Sequence, residues 1–267
     1  MVTLAIAHRL SARRAAAVLE RNAKATRVGP SYWLLLASGI LEPLLYLLAI
    51  GVGVGQLIGG PVDYAGQAVS YQGFVAPAML AFCAFSGAFG ESIFGFFGKL
   101  KFAGVVENQF AAGVRASEIV VGELITATLR GAVYSLLFLV VMAAFGLVTP
   151  VGAVTVFAAT VLIGTAFSAL GLAISATLRG WQDFELVTTG QVALFLFSGT
   201  FAPIANYPQA MQIVIEVTPL YHAVELVRGL SLGAPAPSTL LHVAYLAVMI
   251  PICVYLAVRQ VHRALRR

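Results

Sequence analysis

Charged side chains are scarce in this sequence. Asp, Glu, Lys and Arg make up 10% of its 267 residues, against about 25% in a soluble domain. Hydrophobic residues make up 60%, and a water-soluble fold of this size cannot hide that much apolar surface. A soluble enzyme or binding module is therefore excluded, and lipid is the solvent for most of the chain. Cysteine and histidine are also rare. Cys83 and Cys253 fall inside apolar stretches and read as small apolar fillers, not as a disulfide framework or a ligand pair. The histidines (His8, His222, His242 and His262) are scattered, and neither HExxH nor CxxC spacing occurs, so no metal or redox centre is expected. The glycines at 51, 53 and 55 are followed by no G-K-[ST], which excludes a phosphate-binding loop and leaves close helix packing as their reading. No repeat of fixed period is visible.

The runs without charge are long. None of the four charged residue types occurs in 43–62, 64–90, 131–178, 186–215 or 229–258. A membrane helix needs about 20 mostly apolar residues, and 131–178 is long enough for two. The expected fold is an all-α integral membrane protein with six transmembrane helices, at about 33–57, 71–97, 120–147, 152–177, 186–204 and 239–259. Residues 1–30 lack the short apolar core of a cleavable signal peptide. Their spread of Arg and Lys through Ala-rich sequence reads as an amphipathic helix lying at the membrane interface. Fourteen Lys and Arg fall in the N-terminal segment, the 98–117 and 178–185 loops and the tail, against Arg228 alone on the other side. The positive-inside rule then places both termini in the cytoplasm of a multi-pass protein of the inner (plasma) membrane. The basic N-terminal face suits anionic lipid or an acidic protein surface, not nucleic acid.

Two segments do not read as simple spans. In 205–230, one short helix from about 209 is broken by Thr218-Pro219 and followed by another. Each piece is too short to cross about 30 Å of hydrocarbon, so the segment is either a re-entrant hairpin between spans 5 and 6, covered by protein, or an amphipathic surface loop. In 98–118, charged and polar residues alternate with Phe102, Val105, Val106 and Phe110. That pattern predicts a short amphipathic helix at about 103–112, its apolar stripe turned to a partner or to the membrane surface.

Charges inside spans are costly, at roughly 2.5–3.5 kcal/mol near mid-depth on insertion scales. Glu42, Glu91, Glu123 and Arg130 are such residues. Glu123 and Arg130 are two turns apart on one face, with Tyr134 one turn further. They either line a substrate path or proton relay, or form ion pairs that hold helices together, Glu123 and Arg130 pairing with each other or with Glu42 or Glu91 across helices.

Ser198-Gly199-Thr200-Phe201-Ala202-Pro203, followed by Pro219-Leu220-Tyr221-His222-Ala223-Val224-Glu225-Leu226-Val227-Arg228-Gly229-Leu230, resembles the integral-membrane permease of type-2 ATP-binding-cassette (ABC) exporters. The nodulation-factor, daunorubicin and polysaccharide exporters are the most similar group. Leu41–Leu48, the start of the second span at Tyr71–Pro77, Glu91, and the stretch from Glu107 to Glu123 also match, so the likeness covers about 28–260. It departs at Val75-Ala76-Pro77-Ala78, where the family commonly carries Pro-Gly. The resemblance implies that 103–112 (Val105, Val106, Glu107, Asn108, Phe110) is a coupling helix in a groove of a separate ATPase subunit. It also implies that 205–230, with Pro219, Tyr221, His222, Glu225 and Arg228, is an outward hairpin capping the path. Two permeases, identical or paralogous, and two ATPases would form the exporter. This chain would bind no cofactor, ATP and Mg being held by the partner, and its substrate would be amphipathic, drug-like or lipid- or glycan-linked. The alternative is a proton-coupled secondary transporter using Glu42, Glu91 and Glu123.

Overall fold

The computed structural model describes residues 11–28, 37, 41, 43–58, 60–233 and 237–265. The chain begins with α1 (Ala12–Val28) and the apolar α2 (Pro43–Leu57), whose Leu47–Val54 portion has π-helical hydrogen bonding. A two-stranded antiparallel ribbon follows, β1 (Val62–Tyr64) and β2 (Gln67–Val69), joined through Ala65 and Gly66, both at positive φ. Two consecutive left-handed residues are what a tight hairpin turn demands. This ribbon was expected only as a loop. Next come α3 (Tyr71–Lys101), α4 (Val105–Ala111), α5 (Ala116–Ala144), α6 (Pro150–Ser175) and α7 (Asp183–Leu196). The chain ends with α8 (Gln209–Val217), α9 (Pro219–Ser231) and α10 (Ser238–Ala264).

Among the described residues, four helices are long and apolar enough to cross a membrane: α3, α5, α6 and α10, with 31, 29, 24 and 27 residues in their apolar spans. The pair α8–α9 passes the same test together but is bent by 86° at its break. Six full-length spans are thus not all present as single helices. The expected first span, 33–57, reaches back into residues of which most, Glu42 included, lie outside the described part. The expected fifth, 186–204, differs in its bounds. Its helix starts at Asp183, has 14 residues and stops at Leu196, and at about 1.5 Å per residue it extends only about 21 Å. Residues 197–203 leave the helix because Gly199 takes a left-handed conformation (φ +71°).

The core is built around α3, which is buried on nearly all sides. Phe82 packs against Phe195, and Phe85 meets Phe167 edge-on at 4.5 Å between ring centroids. Helix α6 carries small residues where it meets α3. Gly171 lies against the Ser92 side chain, and Ser175 Oγ donates to the Ile93 carbonyl at 3.2 Å. Helix α1 lays Ala15, Val18 and Asn22 on α5, touching at Gly122. A basic amphipathic helix is therefore present, and one face of it is packed on protein.

The backbones of α3 and α5 approach closely at Gly131. A Cβ at Gly131 would lie 2.7 Å from the Ala84 carbonyl oxygen and 2.9 Å from the Ala88 Cβ. Backbone cannot yield as a flexible side chain can, so Gly131→Val should lower stability by about 1–3 kcal/mol or more through overpacking. Gly90→Ala, where a Cβ would meet open space, should be neutral or better. Thermal unfolding of the detergent-solubilised chain checks both, and equal melting of the two variants would refute the close-packing account.

Candidate functional site: two polar anchors and a protruding helix

Helix α4 stands at one end of the bundle, between the C-terminus of α3 and the N-terminus of α5. Gly104 (φ +60°) and Gly113 (φ +83°) bound it. Left-handed backbone there lets the chain turn sharply into and out of a seven-residue helix. The expected apolar stripe divides. Val106 is fully buried against Phe96, Leu100, Ile119, Val120 and Val261 of its own chain. Glu107 and Asn108 are exposed, Val105 is half-buried, and Phe110 retains 36% of its surface. Phe102 lies outside the helix and stacks on Trp181, the rings 5.5 Å apart and within 5° of parallel. Val106 is thus the residue that moors the helix, and Glu107, Asn108 and Phe110 form its open face.

Beside α4, an ion-pair ladder joins three helices. Arg130 of α5 meets Glu91 of α3 at 2.6 Å, Glu91 meets Lys99 at 3.2 Å, and Lys99 meets Glu123 of α5 at 2.7 Å. Asn22 of α1 completes it, its side-chain amide donating to Glu123 at 2.9 Å and to Thr126 at 3.1 Å. The structure therefore brings Glu91, Glu123 and Arg130 together across helices, with Glu123 and Arg130 joined through Lys99 and Glu91 and not to each other. Tyr134 is buried, its ring against Gly87 of α3. Lys99 reads in the sequence as a cytoplasmic loop charge. In the fold it belongs to the last turns of α3 and reaches back to carboxylates, which makes each of them costly to leave unpaired. Asn22 had no sequence signal beyond lying on an amphipathic helix.

At the other end of α3 is a second anchor. Thr218 is extended (ψ 139°) and its side chain accepts from the Tyr221 N–H, while Pro219 opens α9; this cap and proline produce the sharp bend. Helix α9 is then embedded among α3, α6 and α10, whereas α8 leaves Ile213, Val214 and Val217 exposed. Arg228, 1% exposed, projects from α9 into the centre of this end. Its Nε donates to the Phe74 carbonyl at 3.2 Å, one terminal nitrogen donates to the Gly199 carbonyl at 2.9 Å, and the other pairs with Glu225. The guanidinium also lies 3.8 Å from the centre of the Phe74 ring, a cation–π contact. Glu225 accepts a further hydrogen bond from the Tyr64 hydroxyl at 3.0 Å. Burial, and then the Glu225 carboxylate, push the Tyr64 phenol well above its ordinary range, so it keeps its proton and donates. Nearby, Tyr71 donates to the Phe201 carbonyl and Tyr221 lies against Gly199.

The two motifs 198–203 and 219–230 are thus one physical object, tied through Arg228. His222 belongs elsewhere. Its Nδ1 is 2.8 Å from Nδ1 of His242 on α10, and its ring stacks on Tyr245 at 3.9 Å, so it fastens α9 to the last helix. Among the described residues no group of three or more His, Cys, Asp or Glu side chains is arranged to hold a metal ion.

The described residues thus place a protruding helix at one end, a bent pair whose second helix is embedded at the other, and long apolar helices between them. The sequence profile of the ABC-2 type transporter family matches residues 16–232. The chain belongs to this family. It is similar to nodulation protein J of Rhizobium leguminosarum bv. trifolii, 30% identical over 229 residues, covering 85% of this chain and 86% of that protein. It is also similar to nodulation protein J of Rhizobium meliloti (28% over 227 residues, 85% of each chain) and of Azorhizobium caulinodans (27% over 243 residues, 88% of this chain and 92% of that protein). As an ABC-2 permease, it is a multi-pass membrane protein, not itself catalytic, which partners an ATP-binding subunit.

Proposed function

We propose that this chain is the membrane half of an ABC exporter for an amphipathic, drug-like or lipid- or glycan-linked substrate, with ATP and Mg bound and hydrolysed on a separate subunit. The observation that carries the reading is α4, moored by Val106 and presenting Glu107, Asn108 and Phe110 outward. It is the coupling helix, and the end that bears it, rich in Lys and Arg, is cytoplasmic. The bent α8–α9 pair, anchored in the bundle through α9, is the re-entrant hairpin on the outer side of an inner membrane. Helices α2 and α7 complete six spans. A second permease, identical or paralogous, covers the face where α7 and α8 stand off the bundle. There an apolar cavity of about 580 Å³ lies between them, lined by residues that include Ala193, Leu194, Phe197, Met211 and Val214. Each permease is served by one ATPase, two of each making the exporter.

The ladder supports this reading over proton coupling. Glu91 is paired with Arg130 and Lys99, and Glu123 with Lys99, so both carboxylates are engaged in holding α3 to α5. Glu42, the third residue of that alternative, lies outside the described residues.

Proteoliposomes containing the chain and its ATPase decide the matter. Movement of a fluorescent lipid-linked glycan should require ATP and cease when the ATPase is omitted. A pH jump alone should drive none. Transport driven by the pH jump without the ATPase would refute the proposal.

A further inference from the structure

A cavity of about 400 Å³ opens between α4, the first turn of α5 and the last turns of α10. Three of its lining side chains are or can become cationic: Arg115, Arg259 and His262. Among the described residues Arg259 and His262 enter no ion pair, and no carboxylate lines the cavity. The nearest acid in sequence, Glu118, is buried and engaged. It accepts from the Ser11 and Arg115 N–H groups, pairs with Arg14 and also interacts electrostatically with the Arg115 side chain. The rest of the wall is mainly apolar, from Phe110, Ala116, Tyr255 and Val258.

The pattern along α10 continues out of the cavity. Positions 248, 252, 255, 259 and 262 follow the three- and four-residue spacing of one helix face. The first three are Val248, Ile252 and Tyr255, exposed by 59%, 54% and 42%, and the last two are Arg259 and His262. From Val248 to Arg259 is about 16 Å at 1.5 Å per residue, close to half of the ~30 Å hydrocarbon thickness. An apolar track one leaflet deep, ending at a cavity lined by two arginines and a histidine, complements a phospholipid with a negatively charged headgroup. An acidic protein surface would need the cations but not the track.

The geometry points to a binding site for an anionic phospholipid, its acyl chain along Val248, Ile252 and Tyr255 and its phosphate between Arg115, Arg259 and His262. The leaflet is the cytoplasmic one if the topology proposed above holds, but the binding itself does not depend on that topology. Phe110 forms one wall, so the bound lipid buttresses α4.

Native mass spectrometry of the full chain in detergent, titrated with dioleoyl phosphatidylglycerol and dioleoyl phosphatidylcholine, tests the site. The wild type should retain phosphatidylglycerol preferentially, and Arg115→Gln and Arg259→Gln should each weaken that preference on the order of fivefold. Arg13→Gln, an equal change of charge on exposed α1, should leave it intact. Val258→Trp, which fills the cavity with every charge in place, should abolish it, and this variant keeps the test alive if an arginine variant fails to fold. An equal loss in Arg13→Gln would mean diffuse electrostatics and overturn the site. Displacement of the lipid by inorganic phosphate would mean a free-anion site and overturn the lipid assignment. Loss of ATPase co-purification in the arginine variants with lipid retention unchanged would assign the cations to the partner and overturn it as well.

Discussion

Arg228→Ala should be severely damaging, lowering stability by about 3–5 kcal/mol and the apparent Tm on the order of 10 °C. The side chain is 1% exposed and hydrogen-bonds the Phe74 and Gly199 carbonyls as well as Glu225. Truncation leaves the partly buried carboxylate and two carbonyl acceptors without their donor, and that loss of a partner, more than the lost attraction, sets the magnitude. Lysine should not rescue, because one ammonium cannot reproduce the planar fork that spans these partners or its contact on Phe74. The double variant Arg228→Met/Glu225→Gln should recover about 1–3 kcal/mol relative to Arg228→Met alone, since the unpaired charge is gone. Tyr64→Phe removes one donor to Glu225 and should cost less, about 1.5–3 kcal/mol. Thermal unfolding of the solubilised chain gives all five values. Additive losses in the double variant would show that Arg228 and Glu225 are not coupled, and the anchor would have to be abandoned.

This anchor marks the limit of what a sequence discloses. The long helices were legible because charge is absent from 64–90, 131–178 and 229–258, and lipid leaves no other way to satisfy their backbone. The bend at Thr218-Pro219 was legible because proline acts locally, and α4 because polar and apolar residues alternate within one turn. Contacts distant in sequence were not legible. The fifth helix ends at Leu196 and not near 204, where Gly199 turns left-handed and presents its carbonyl to an arginine 29 residues away. Lys99, counted as a loop charge, is the shared cation of two carboxylates on different helices. Polar residues at helical spacing identify a face but not its partner: Glu123 and Arg130 could pair with each other or across helices, and the fold takes Arg130 to Glu91 and Glu123 to Lys99.

The open face of α4 should be separable from its moored face by substitution. Val106→Asp buries a charge among Phe96, Leu100, Ile119 and Val261, and the chain should fail to give a monodisperse product, because an unpaired buried charge is among the most destabilising changes known. Val106→Ala should fold but lose about 2 kcal/mol of stability. Phe110→Ala removes a side chain already 36% exposed, so stability should change little. If α4 sits in the ATPase groove, Phe110 is the aromatic anchor of that contact. Its truncation should cost about 2 kcal/mol of association, a drop of more than about tenfold in affinity, with ATP-driven transport falling in step. Phe110 also walls the lipid cavity, so Asn108→Ala provides the independent arm. Asn108 is exposed on the same helix and does not line that cavity, and its loss should weaken ATPase co-purification without altering phosphatidylglycerol retention. Affinity and transport unchanged in both Phe110→Ala and Asn108→Ala would remove α4 from the coupling path, whereas failure of Phe110→Ala alone would place its effect in the lipid site.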